Sequence, residues 1–484
     1  MTSGHVFVAH GRIESVVHDA AVVPLGADRA FTDHWRPLLG HDEPAPGAGW
    51  DERGWAASDR EGLWLIRVGP GEDVAVDELA GRVGEVLTEI AGAGLAPAAG
   101  RVKPLVALPF VGLEGGGLGS RRGDVVRSQL QAVARVAVGH DLDVVVVTPE
   151  AAVYAAAQHV RRQLVGDGRT GDGDRLDAAA RRLADRARAG ELALFLGAGV
   201  SVPAGLPSWS ELLGHLAAEL DPEELAQLSP LDQAELLQVL DPGFQQRVAE
   251  AVEQRRTPSL SHVLLAGLGC GEVVTTNYDA LYETAVAAPG GHEPSVLPWQ
   301  SAVGARPWLL KLHGDLARPT SIVLTRGDFV RYDAFRRPSG SLLQALLLTR
   351  HVLFVGASLR DDNVIRLLRE VQEYRREHDL GNGPFGTVLD IDHDVVRARL
   401  WTGQLDWLHL DGDGVEDRAR QLEIFLDRVS MYACRDSGWL LDPRFSGLLS
   451  REDADLAEEV RRVAGRIRDT GSLLGPLLGP LVEP

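Results

Sequence analysis

The chain has 484 residues, 45% hydrophobic and 24% charged, enough apolar material for roughly two to four folding units and too much for disorder over most of its length. Acidic residues outnumber basic ones 69 to 49, and the net charge of -20 argues against a nucleic-acid partner, because Arg181-Arg182, Arg255-Arg256 and Arg336-Arg337 are isolated pairs rather than a basic stripe. With Cys270 and Cys434 as its 2 cysteines the chain cannot build a four-cysteine zinc module or a disulfide framework, and it has neither a leader-like N-terminus nor a run of ~18 uncharged apolar residues. A cytoplasmic protein with no metal is expected.

In chain order, short apolar runs at residues 5–9, 20–24, 63–68, 105–110 and 144–148 read as strands. Residues 78–90, 124–138 and 150–164 repeat apolar positions at spacings of three and four and read as helices. The Pro-, Gly-, Asp- and Trp-rich stretch 40–62 reads as a long loop. The polar Gly/Asp run 165–174 has nothing to bury and reads as a boundary. After it come a helix over 176–189 and an α/β pattern to about residue 410, then two helices over 415–432 and 452–467 and a Pro/Gly/Leu tail over 475–484.

Four motifs in the second unit follow apolar strands. The strand 192–196 runs into Gly197-Ala198-Gly199-Val200-Ser201, and Ser208 with Glu211 has capping-box spacing for the next helix. A strand, a glycine turn and a helix can present N–H groups to a pyrophosphate, and a tight packing turn accounts for the same residues. Val273-Val-Thr-Thr276-Asn277-Tyr-Asp279 ends a β-branched run in polar groups, which either hold a ligand beyond the strand or cap a helix starting near Ala280. Trp308-Leu-Leu-Lys-Leu312 ends in His313-Gly314, and a histidine there suits general-base work. His351-Val-Leu-Phe-Val355 breaks at Gly356-Ala-Ser358, with Asp361, Asp362 and Asn363 close behind.

Taken in this order, the four motifs resemble the sirtuin family, in particular the sirtuin-like domains of bacterial antiphage defence proteins, over about residues 181–410. The resemblance implies that Gly197, Ala198, Gly199, Ser201 and Thr276 hold the phosphates and adenosine side of NAD. Asn277 would position the nicotinamide ribose and the attacking water, Asp279 would fix local hydrogen bonds, and His313 would act as base. Gly356 and Ser358 would close over the adenine ribose or phosphate. Deacylating members carry the zinc module that two cysteines cannot build, so water is the expected acceptor and NAD hydrolysis to nicotinamide and ADP-ribose the expected reaction. Protein ADP-ribosylation, deacylation and a non-catalytic NAD or ADP-ribose sensor are the alternatives.

Residues 13–24 and the later Leu108-Pro-Phe-Val-Gly112-Leu-Glu-Gly-Gly-Gly117 resemble the opening strand and phosphate loop of macro domains, although Pro24-Leu-Gly-Ala-Asp-Arg stands where those domains place asparagines. The implied architecture is a macro-like α/β domain over 1–165, a linker over 166–175, a Rossmann-like sirtuin-type parallel sheet over 176–412 and a helical extension over 413–484. The implied partners are NAD, an ADP-ribose-type ligand at the first domain, a phage-derived or co-encoded protein trigger, and further copies of the chain in a homo-oligomer.

Overall fold

Two runs of short apolar strands close into two separate sheets in a computed structural model of the chain. It describes residues 3–470 except 27, 70–74, 98–99, 115, 166–171, 218–220, 254–255, 305–306 and 382. The first sheet holds β1 (Val6–His10), β2 (Ala20–Gly26), β3 (Trp55–Ala57), β4 (Leu63–Val68), β5 (Leu105–Pro109) and β6 (Asp143–Thr148) in the order β1-β6-β5-β2-β4-β3. All its pairings are parallel except β3 with β4. The near-continuous apolar runs of β5 and β6 fit strands covered on both faces, as parallel sheets require.

The stretch 40–62 differs from the loop expected of it. It folds a short helix, Trp50–Arg53, and the edge strand β3, because Trp50 and Trp55 bury their rings where the Pro- and Gly-rich composition signals only turns. Residues 166–171 of the expected linker lie outside the described residues, and the helix after them begins at Asp172 rather than Leu176. The expected tail over 475–484 also lies outside them.

The second sheet holds β7 (Leu192–Leu196), β8 (Glu272–Thr275), β9 (Ser295–Leu297), β10 (Trp308–Lys311), β11 (His351–Val355), β12 (Gly386–Asp390) and β13 (Leu405–His409). Its order is β13-β12-β11-β7-β8-β10-β9 and every pairing is parallel. The chain leaves β7 toward β8 and later returns to β7's other edge with β11, so the strand order reverses at β7. In open α/β sheets the crevice beyond such a reversal is where ligands bind.

One face of each sheet contributes to a single apolar core, in which Phe7 and Val145 of the first sheet share a cluster with Leu194 and Leu353 of the second. Between them lie the helices Asp172–Ala189, Leu260–Ala266 and Val415–Ala433, supplying Leu183, Leu264 and Phe425. The outer face of the second sheet is covered by Arg326–Thr349 and Asp362–Glu377. A smaller helical cluster built on Leu213, Leu237, Phe244 and Val248 meets Leu281 and Leu324 near the strand ends. Among the described residues, no helix is long and apolar enough to cross a membrane.

Candidate active site

The strand register sets the site. Leu196 of β7 pairs with Val355 of β11, so Gly197 and Gly356 occupy matching positions one residue beyond adjacent strands. The two turns interlock. Gly197 N–H donates to Val355 O at 2.9 Å and Gly199 N–H to Gly356 O at 3.0 Å. A Cβ on Gly197 would stand 2.4 Å from Gly356 O, and one on Gly356, whose φ is +65°, would stand 2.5 Å from Val200 N. Glycine is therefore needed for backbone-to-backbone approach. Val200 and Ser201 also commit their N–H groups within the turn, which makes Ala198 the member of this run whose N–H has no such bond.

The helix expected after the glycine turn starts at Trp209, behind two short 3-10 turns, and Ser208 and Glu211 close its capping box as their spacing predicts. The box satisfies the N–H groups of Ser208 and Glu211 within the protein.

Thr275 of β8 pairs with Lys311 of β10, which carries Asn277 and His313 to matching positions two residues beyond neighbouring strands. Asn277 is held on both sides of its amide nitrogen: Nδ2 donates to Gly197 O at 3.2 Å and to Ser201 Oγ at 3.0 Å. Both N–H bonds are used, so the orientation of the amide is fixed by its bonding. Its Oδ1 is buried and accepts no hydrogen bond.

Ser201, buried at 3% exposure, donates to Asp279 Oδ2 at 2.9 Å. With its hydroxyl turned inward and its N–H bonded to Ala198 O, it has no N–H or O–H left over for a phosphate. Asp279 also accepts the Leu281 N–H at 3.1 Å, so it both anchors Ser201 and ties down the first residue of the following helix. Thr276 donates its N–H to Leu196 O at 3.2 Å and is half-buried, and Ser358 stands exposed beyond Gly356. Next to it, the buried Leu359 adopts a left-handed φ of 48°, with its carbonyl accepting from Arg397 Nη1 at 3.0 Å.

His313 is buried with its ring edge-on to Phe329 and Tyr332. Its Nε2 lies 3.3 Å from Asp361 Oδ2 yet makes no hydrogen bond. Burial lowers the imidazole's pKa and the Asp361 carboxylate opposes that, leaving the ring neutral and able to accept a proton at neutral pH. Asp361 is itself fixed as the cap of the helix Asp362–Glu377, accepting from Val364 N at 2.9 Å.

Five contributors were not among the residues assigned from the sequence. Lys311, fully buried, binds Glu283 Oε1 at 2.7 Å, Asp315 Oδ2 at 3.1 Å and the Asp279 carbonyl at 2.8 Å, bracing the segments that carry Asn277 and His313. Burial alone would lower its pKa, but Glu283 and Asp315 outweigh that and keep it protonated. A lysine inside the apolar strand Trp308–Lys311 was the available signal. Thr275 Oγ1 accepts the Asn277 N–H at 3.0 Å, Asp361 faces His313, and Asn363 buries an unpartnered Nδ2. His262 reaches Ser201 Oγ at 3.4 Å from a helix distant in sequence.

Among the described residues, seven buried side-chain polar atoms make no hydrogen bond, and Asn277 Oδ1, His313 Nε2 and Asn363 Nδ2 are three of them, the first two at matching positions beyond β8 and β10 and the third in the helix Asp362–Glu377 that follows β11. Buried polar groups are normally satisfied, so open hydrogen-bonding atoms at the ends of neighbouring strands fit a polar ligand such as a ribose.

Residues 271–383 match the model of the SIR2-like domain family. The chain is 29% identical over 202 residues to the NAD(+) hydrolase ThsA of Acinetobacter baumannii (strain 532279), covering 38% of this chain and 41% of that protein. It is 29% identical over 215 residues to the NAD(+) hydrolase ThsA of Enterococcus faecium, covering 41% and 43%. Over 209 residues it is 24% identical to the defense-associated sirtuin 2 of Bacillus subtilis, covering 41% and 21%. The chain thus spans less than half the length of these curated relatives.

Proposed function

We propose that the chain is an NAD glycohydrolase, cleaving NAD to nicotinamide and ADP-ribose as a regulated, cofactor-depleting effector of antiphage defence, a reading supported by the match of residues 271–383 to the SIR2-like domain family. The observation that carries the reading is that the buried Oδ1 of Asn277 and the buried Nε2 of His313, which stand at matching positions beyond β8 and β10, both make no hydrogen bond. Relatives named as NAD(+) hydrolases align with about two fifths of the chain and support it.

Cleavage of a ribosyl bond passes through an oxocarbenium-like state that needs positioned polar groups more than covalent help. Asn277 Oδ1, held by an amide whose nitrogen is tied down, accepts from a hydroxyl of the nicotinamide ribose or from the attacking water. His313 Nε2, neutral through burial, takes the proton that the water or ribose hydroxyl gives up. Gly197, Ala198, Gly199, Gly356 and Ser358 line the approach for the rest of the dinucleotide, Ala198 with its open N–H. Nicotinamide release by the purified chain, measured with and without Asn277→Ala and His313→Ala, tests the reading. Equal release by wild type and both variants would overturn it.

We assign residues 1–165 to a macro-like domain, 176–412 to the SIR2-like catalytic domain and 413–484 to a helical extension, with the strand order β1-β6-β5-β2-β4-β3 as support for the first. A cavity of about 140 Å³ opens at the ends of β1, β2, β5 and β6, lined by Arg12, Glu14, Trp35, Phe110, Glu114 and Glu150 among others. It is the candidate place for an ADP-ribose-type ligand, with Arg12 facing the diphosphate and three carboxylates opposing it. Burial and a hydrogen bond with Glu150 hold the Glu114 carboxyl above its usual range. Calorimetry of the intact Asn277→Ala chain with ADP-ribose tests this. The apolar stripe Leu456, Val460 and Val463, exposed on Arg451–Thr470, supports assembly into a homo-oligomer, and restraint of such an activity before infection calls for a protein trigger.

A further inference from the structure

The orientation of Asn277 depends on Ser201, and Ser201 is contacted by a histidine that has no part in the chemistry proposed above. His262 is 1% exposed on the helix Leu260–Ala266, with Nε2 3.4 Å from Ser201 Oγ. The bonding around the ring decides where its proton sits. Ser259 N–H, which can only donate, donates to His262 Nδ1 at 3.2 Å, and the Ser259 hydroxyl, 2.8 Å from the same nitrogen and 2.9 Å from Val200 O, has one proton to share between these two acceptors. Nδ1 is therefore the acceptor, and a neutral ring carries its hydrogen on Nε2, facing Ser201.

Ser201 Oγ then has all its capacity in use: it donates to Asp279 and accepts from Asn277 Nδ2 and from His262 Nε2. We propose that His262 is a positioning residue, whose Nε2–H fixes the rotation of the Ser201 hydroxyl and through it the amide of Asn277. Burial pushes the imidazole down to about 4, so the ring stays neutral and the relay intact at physiological pH. The helix that carries it is held from outside the second sheet: Val17 N–H, between β1 and β2, donates to Pro258 O at 2.9 Å, and Ser430 Oγ donates to Leu264 O at 3.1 Å. The geometry of Asn277 is thus tied to the first sheet and to the helix Val415–Ala433.

For its activity readout the inference rests on the hydrolase reading; for its geometry it does not. The test compares H262Q, whose amide can still reach Ser201 with a donor, with H262N, whose shorter side chain cannot, in the full chain. The expected result is a roughly tenfold lower kcat for H262N at unchanged KM, the scale of one lost hydrogen bond, with H262Q within about threefold of wild type. Adding H262N to Ser201→Ala should cost nothing further, because both act through one hydroxyl. Full kcat in H262N, equal losses in H262N and H262Q, or losses that multiply in the double variant would overturn the proposal. If the wild-type chain releases no nicotinamide, crystal structures decide. An Asn277 amide turned or disordered in H262N and ordered in H262Q keeps the positioning role while the hydrolase reading falls, and an unchanged amide in H262N overturns the role.

Discussion

Two places in this molecule bury ionisable and strongly polar side chains, and they treat them in opposite ways. Where the helix Val415–Ala433 meets the first sheet, the fully buried Asp427 accepts from Arg161 Nη1 and Nη2 at 2.9 and 2.5 Å and lies 2.8 Å from His5 Nε2. Asp143, equally buried, accepts two bonds from Arg420 and one from Arg101, whose Nη1 also reaches Glu423 at 2.5 Å. Every carboxylate there has a cation. Beyond the second sheet, Asn277 Oδ1, His313 Nε2 and Asn363 Nδ2 are buried without a hydrogen bond. Pairing each buried carboxylate with a cation offsets desolvation and serves the fold; open hydrogen-bonding atoms lower stability and are retained where a ligand completes them.

The comparison breaks most visibly at the chemistry. Asn277→Ala and His313→Ala should each lower nicotinamide release by roughly a thousandfold, the upper scale for removing one positioned transition-state contact, with only a modest fall in thermal melting from the two lost Asn277 hydrogen bonds or the lost His313 ring packing. A large drop in melting temperature for either variant would move that residue to the structural side.

Asp427→Ala should do the reverse. It leaves Arg161 buried without its carboxylate, and losing one partner of a buried pair costs about 3–5 kcal/mol. Urea unfolding should show that loss, while kcat/KM per folded molecule stays close to wild type. Gly356→Ala tests the join between the two classes, since φ at +65° and a Cβ 2.5 Å from Val200 N force the interlocked turns apart. A loss of about 1–3 kcal/mol is expected, together with a raised KM for NAD.

Much of this could be read from residue patterns, and the failures have physical causes. The β-branched and apolar runs announced β7, β8, β10 and β11, and the polar residues at their ends announced Asn277 and His313, because strand ends interrupt an apolar pattern abruptly. β3 stayed hidden because three residues give no periodicity, and β9, equally short, lies in a Pro- and Gly-rich stretch. Ser201 was legible as a site residue but not in its role: its inward hydrogen bonds to Asp279 and Asn277 span 78 and 76 residues of sequence. His262 reads locally as the third residue of a capping box, and its contact with Ser201 depends on tertiary packing.

The smallest expected effect is a pH slope, and it separates the histidines from the carboxylate network. Burial pushes His262 and His351 down to about 4, whereas an unfolded histidine titrates near 6.5. Between those values the unfolded chain binds a proton at each position that the folded chain refuses. Stability from these groups is therefore complete above pH ~6.5 and is lost as pH falls toward 4, at about 1.4 kcal/mol per pH unit for each. Asp427 works in a lower window. Burial opposes its ionisation, but Arg161 and His5 prevail and hold its pKa below the ordinary value, so its contribution is lost only as pH falls through that depressed range. His351, bonded to Thr387 Oγ1 at 2.8 Å and remote from Asn277 in the hydrogen-bond network, is the clean probe. Urea midpoints of His351→Gln at pH 7, 6 and 5 should fall less steeply than wild type by one proton's slope, with kcat unchanged at each pH. An undiminished slope would mean that the ring is protonated in the folded chain.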